Sequence, residues 1–119
     1  MQPRSRTSDF TITPVEGRVH ILVDDAEVID SRRALRLEQP GAPTRIYVPM
    51  EDIRSDLLLA TDEHRQADLG EVHLYTIRTA TATVENAAEY VTEPAPGAEP
   101  LRDHVHFLDG KAKCEISPV

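Results

Sequence analysis

A chain of 119 residues is one ordinary domain's length, enough to bury a modest core without disulfides or a metal. Thirteen Lys and Arg against twenty-one Asp and Glu give a formal net charge of −8, and no stretch gathers basic residues without acids beside them. A nucleic-acid backbone or an anionic membrane surface would therefore be repelled.

No run approaches the roughly 18 apolar residues of a membrane span. Met1–Ser8 carries Arg4 and Arg6, but no apolar signal segment follows. The single cysteine, Cys114, suits a reducing compartment, and the expected address is cytoplasmic.

Residues 1–17 read as an N-terminal arm or first strand, and 18–119 as a single β domain. Val19, Ile21 and Val23 alternate with His20, Leu22 and Asp24, and the pair Asp24-Asp25 leads into Glu27–Asp30, which predicts a hairpin. Leu35 and Leu37 alternate with Arg36 and Glu38 until Gln39–Pro43 stops the run. Arg45–Val48 then predicts another strand, ending at Pro49. Met50, Ile53 and Leu57 have helical spacing over a segment short enough for one turn. Glu63–Gly70 is polar and reads as loop. Val72, Leu74 and Thr76 alternate with His73, Tyr75 and Ile77, and Thr79–Val84 is a β-branched run that predicts the next strand.

From Glu85 to Pro100 the chain is rich in Ala, Glu and Pro. Pro94, Pro96 and Pro100 argue against a central strand, so the segment is expected to be an extended surface connection. The last expected element is a hairpin of 103–108 with 111–116 around Asp109-Gly110, a pair suited to a two-residue type I′ turn. Its register would set His106 opposite Lys113, His104 opposite Glu115 and Val105 opposite Cys114, with Cys114 on an apolar face. The expected fold is mostly β: a small antiparallel two-sheet sandwich or partly open barrel with at most one short helical turn.

Three segments together, Val19–Val23, Ile29–Glu38 and Ile46–Ile53, resemble the domain-of-unknown-function family numbered 427. The likeness is good from Arg18 to Leu59. It continues more thinly through Gly70, Tyr75, Tyr90 and Val105–Phe107 to about Ile116. It implies a compact, two-sheet, tent-like β fold and no settled activity. Two departures stand out. The family's Cys-Pro-Tyr-Lys-Gly stretch is replaced by Gln66-Ala-Asp-Leu-Gly70, and a Trp expected shortly before Tyr90 is missing, with Ala88 in its approximate place. A nucleotidyltransferase role finds no Gly-rich phosphate loop and no carboxylate pair at metal-binding spacing here.

The candidate site residues are polar groups with alternative readings. His104-x-His106 places two imidazoles on one strand face, fit for metal chelation or for a plain polar face; the expected Lys113 opposite would oppose a cation. Arg33, Arg36, Glu38, Tyr47 and Asp52 lie in the best-matching stretch. They read either as surface ion pairs or as an arginine that orients a ligand beside a carboxylate that moves a proton. Tyr47, Tyr75 and Tyr90 can each line a pocket while donating a hydrogen bond, or be half-buried core.

The leading expectation is a cofactor-independent protein binding a small organic molecule, with Tyr75, His73, Glu38 and Asp52 as acid–base groups and Arg33, Arg36, Tyr47, Tyr90, His104 and His106 as binding groups. No metal or cofactor is called for. The chemistry expected is an isomerisation, elimination or cyclisation in specialised metabolism. The alternatives are a protein–protein interaction module, with a homodimer as one form of it, and a metal-dependent enzyme using His104 and His106.

Overall fold

The computed structural model describes residues 10–108 and 112–117. The strands in chain order are β1 (Thr11–Pro14), β2 (Arg18–Val23), β3 (Ala26–Ser31), β4 (Leu35–Glu38), β5 (Arg45–Pro49), β6 (Leu58–Ala67), β7 (Gly70–Arg78), β8 (Thr83–Pro94), β9 (His104–Phe107) and β10 (Lys113–Ser117). Two antiparallel sheets result. One has seven strands in the order β1-β4-β5-β9-β8-β7-β6, and the other has three, in the order β10-β2-β3. Among the described residues the only helical elements are single 3-10 turns, at Met50–Asp52, Ser55–Leu57 and Glu99–Leu101. The fold is mostly β and neither sheet closes into a barrel, as the alternating sequence predicts.

The expected hairpin from Val19 to Asp30 is present as β2 and β3. Asp24 and Asp25, both with positive φ (50° and 67°), turn the chain between them, the conformation a tight two-residue hairpin needs. The inward residues of this small sheet, Val19, Ile21, Val23, Val28 and Ile29, pack against Val48, Ile77, Ala88, Val105 and Phe107 of the large sheet. This is the main core. A second core lies around Leu37, Tyr47, Leu69, Val72, Leu74 and Val91, closed over by Ala98 and Leu101 from the segment after β8. The large sheet is thus covered in part on both faces.

Four expectations are corrected. Residues 63–67 continue β6 instead of forming a loop. β6 is an edge strand with charged and polar side chains exposed along most of its length, so the alternation that marks a half-buried strand is missing from its sequence. The segment from Glu85 is not a surface connection, because β8 runs through it to Pro94 between β7 and β9. The prolines fall at the end of that strand and beyond it, and the buried Ala87, Ala88 and Val91 supply the packing that overrides a weak β composition.

The hairpin of 103–108 with 111–116 is not formed. Both edges of β9 are taken, by β5 and β8, so β10 crosses to the other sheet and pairs with β2. Lys113 and Glu115 therefore face Leu22 and His20 in register, and not the histidines of β9. Cys114, expected in the core, is exposed. The turn expected at Asp109-Gly110 lies outside the described residues.

Candidate functional site

Residues that pair in register across an antiparallel sheet share one face. Two such rows decide where the candidate side chains go. Leu35 pairs with Tyr47, Tyr47 with His106, His106 with Glu89 and Glu89 with Leu74, so these five stand side by side on the face of the second core. Val48, Val105, Tyr90, His73 and His64 form the next row, on the opposite face.

The first row borders a cleft of about 410 Å³ lined by Pro43, Thr44, Arg45, Arg65, Ala67, Asp68, Glu89, His106 and Leu108. Glu89 lies at its floor. At 8% exposure it is the one charged residue buried among the described residues. Its Oε2 accepts a hydrogen bond from Arg65 Nη1 at 3.2 Å. Burial pushes its carboxyl above the usual carboxylate range; the Arg65 and Arg45 guanidiniums oppose the shift without cancelling it. Beside it, His106 lies against the Tyr47 ring with centroids 5.2 Å apart.

Arg45 completes the site from β5. It donates to both carboxylate oxygens of Asp68, at 3.3 and 2.9 Å, and to the Tyr47 hydroxyl oxygen at 3.3 Å. Burial works against its charge, but Asp68 and Tyr47 outweigh that and hold the guanidinium firmly protonated. Burial also raises the Tyr47 phenol, despite the adjacent guanidinium, and keeps it neutral. Asp68 reaches the cleft from the β6–β7 turn, where Gly70 has φ +131° and a Cβ would meet the Glu93 carbonyl oxygen at 2.2 Å. Glycine is what lets the turn lie against β8.

A second, larger cleft of about 630 Å³ is lined by Arg33, Pro49, Met50, Glu51, Tyr90, Asp103 and His104. Arg33 is held there by Glu51 at 3.0 Å and Asp52 at 2.7 Å. Asp52 also accepts from the buried Ser31 hydroxyl at 2.7 Å. Burial alone would raise the Asp52 carboxyl, but the Arg33 and Ser31 hydrogen bonds win and hold it below the usual range. Tyr90 donates to Asp103 at 2.9 Å; burial, together with that carboxylate, pushes the phenol up.

The residues singled out in the sequence are therefore divided. His106 lines the Glu89 cleft, and the buried Tyr47 stands behind it against the His106 ring. Arg33, Tyr90 and His104, with Asp52 behind Arg33, belong to the larger one. His73 and Tyr75 share a face as expected, with ring centroids 4.9 Å apart, and Tyr75 meets the Tyr90 ring edge-on at 6.0 Å. His73 is tied to the Thr61 carbonyl at 2.6 Å and stacked on His64. Arg36 and Glu38 lie on β4, opposite Ile46 and Thr13, and opposite Thr11, respectively. They join neither cleft.

Glu89, Arg45, Arg65 and Asp68 escaped the sequence reading. The signal for Glu89 was a carboxylate spaced two residues from Ala87 and from Val91, an inward position once 83–94 is a strand.

Among the described residues, the one group offering three metal-ligand atoms within 4.8 Å is His20, Glu27 and Asp30 on the small sheet. Asp30 is clamped by Arg18 at 2.5 and 2.7 Å, and His20 pairs with Glu27. His104 and His106 are not part of it. No helix of the described residues is long and apolar enough to cross a membrane.

The described residues thus form a two-sheet, mostly β fold with a buried carboxylate lining a polar cleft. A family model described as a domain of unknown function (DUF427) matches residues 11–117, and the chain belongs to that family. No curated protein matches the chain.

Proposed function

We propose that the protein binds a small organic molecule in the cleft over Glu89 and assists a proton transfer on it without a cofactor. The observation that carries this reading is Glu89 itself. A carboxylate buried in a sheet face is costly, and an apolar residue would pack there at least as well. A group so placed, with its titration raised by burial and a concave polar surface above it, is poised to hold or move a proton.

The volume of about 410 Å³ suits a small organic ligand. Pro43, Ala67 and Leu108 offer it apolar walls, while Thr44, Arg45 and Arg65 offer donors. Tyr47 and His106 stand next in the row as further acid–base or hydrogen-bonding groups. The turn carrying Asp68 is also where Gln66-Ala-Asp-Leu-Gly70 replaces the Cys-Pro-Tyr-Lys-Gly of the family resemblance, so the chemistry rests on carboxylates and not on a thiol and an amine. The reactions that fit are isomerisation, elimination or cyclisation.

A fragment library screened by amide chemical shifts tests this reading. Hits should cluster on Arg45, Arg65, Glu89 and His106 and be lost in Arg65→Ala. Hits confined to the Arg33–Tyr90–His104 cleft, or none, would overturn it.

One observation favours a second reading, the interaction module: β6 pairs with β7 alone and presents ten residues of open strand edge. Such an edge can add a strand from a partner or a second copy. The charged side chains of β6 argue against this, since exposed edges are protected in that way.

A further inference from the structure

The charges of the Glu89 cleft constrain what it can accept. Arg45 already gives three hydrogen bonds, two to the oxygens of Asp68 and one to Tyr47. Among the described residues Arg65 makes one polar side-chain contact, the 3.2 Å bond to Glu89, and its side chain is half exposed. A guanidinium fork matches a carboxylate at two points, so Arg65 is the group best placed to take an incoming anion.

Two guanidiniums now balance two carboxylates. A bound anion would leave three negative charges against two positive around the buried Glu89 carboxylate, a costly arrangement. One proton restores the balance. Glu89 is the group to take it, because it is the more buried carboxylate and already sits on the guanidinium the anion would claim. Arg45 and Arg65 release no protons, so they offer no matching response to a bound cation.

Building on the small-molecule reading of this cleft, we infer that its ligand is a small organic acid whose carboxylate takes the Arg65 guanidinium, while Glu89 yields that guanidinium and binds one proton from solvent. The groups facing Glu89 are His106 from β9, Tyr47 and Arg45 from β5, Arg65 from β6, Asp68 from the following turn, and Leu74 from β7. The apolar walls at Pro43, Ala67 and Leu108 give an aromatic or branched body a surface to lie on. Protonated Glu89 then stands beside the bound acid as its proton donor.

The test uses benzoate and the neutral benzamide against the full chain, with amide shifts reporting the site and calorimetry in two buffers counting protons. Benzoate should shift Arg65, Glu89 and His106, with one proton taken up and affinity falling about tenfold per pH unit above the Glu89 titration. Benzamide should bind at least tenfold more weakly. Glu89→Gln, which mimics the protonated acid, should bind benzoate at pH 8 more tightly than the wild type and with no pH dependence.

Benzamide binding in the cleft as tightly as benzoate would leave the pocket standing and remove the acid. Persistence of the pH dependence in Glu89→Gln would remove the proton's assignment. Failure of benzoate to bind while fragments of the library do would overturn the inference but not the proposed function.

Discussion

Glu89→Gln separates a functional carboxylate from a structural one. The substitution keeps shape and removes the charge. In the wild type the folded-state titration lies above the ordinary value of 4.5, so the folded chain binds that proton more tightly than the unfolded chain does. Stability contributed by this group is then fully present at pH below the unfolded titration and is lost as pH rises through the folded one. Each pH unit between the two titrations corresponds to about 1.4 kcal/mol.

Urea unfolding of wild type and variant at pH 8 and pH 3.5 reads this directly, with the Glu89 titration followed independently by carboxyl carbon shifts. Relative to the wild type, the variant should gain stability on going from pH 3.5 to pH 8. The gain should match about 1.4 kcal/mol per unit of the measured shift. A structural ion pair predicts the opposite: loss of a buried partner costs about 3–5 kcal/mol at neutral pH. A variant destabilised to that degree at pH 8 would refute the assignment of Glu89 as a group held against its own stability.

Asp52→Ala should destabilise by about 1–3 kcal/mol at pH 7, because it strips the buried Ser31 hydroxyl of its acceptor and leaves Arg33 with Glu51 alone. Since the Asp52 titration is lowered from 3.8, that difference should be complete above about pH 4 and fade as pH falls through the folded-state titration, by urea unfolding. Gly70→Ala should cost at least about 2 kcal/mol, through its φ of +131° and the clash with the Glu93 carbonyl, and should displace the Asp68 amide resonance. Cys114 should react with iodoacetamide in the native protein, because it is exposed. The rate should fall below that of free cysteine at pH 8, because partial desolvation of the sulfur and the Glu115 carboxylate raise the thiol.

Local periodicity carried much of the fold. Arg18–Val23 alternates visibly because one of its faces packs into the core and the other does not, and Gly70–Arg78 alternates between fully and partly buried positions. β6 and β8 broke the pattern for opposite reasons. β6 is exposed on both faces, and the buried positions of β8 are two alanines, a glutamate and one valine, too few large apolar residues to stand out. The β9–β10 hairpin failed because a favourable turn dipeptide says nothing about competition for strand edges, and β5 and β8 hold both edges of β9.

Tyr47 and His106 stood out in the sequence through their chemistry, whereas the row that joins them to Glu89 is a long-range pairing. Strand alternation also separated His73 and Tyr75 from that row, on the other face of the same sheet. Residue types alone do not encode which face a strand turns to its neighbours.

The central claim is that the Glu89 cleft holds a small organic molecule. Native mass spectrometry of the protein purified from its own organism tests it most directly, run beside an Arg65→Ala/Glu89→Leu variant expressed in the same cells. The wild type should carry a co-purifying organic molecule of defined mass that the variant lacks. A wild type carrying only a protein partner or a second copy of itself, or a variant that retains the same molecule, would contradict it.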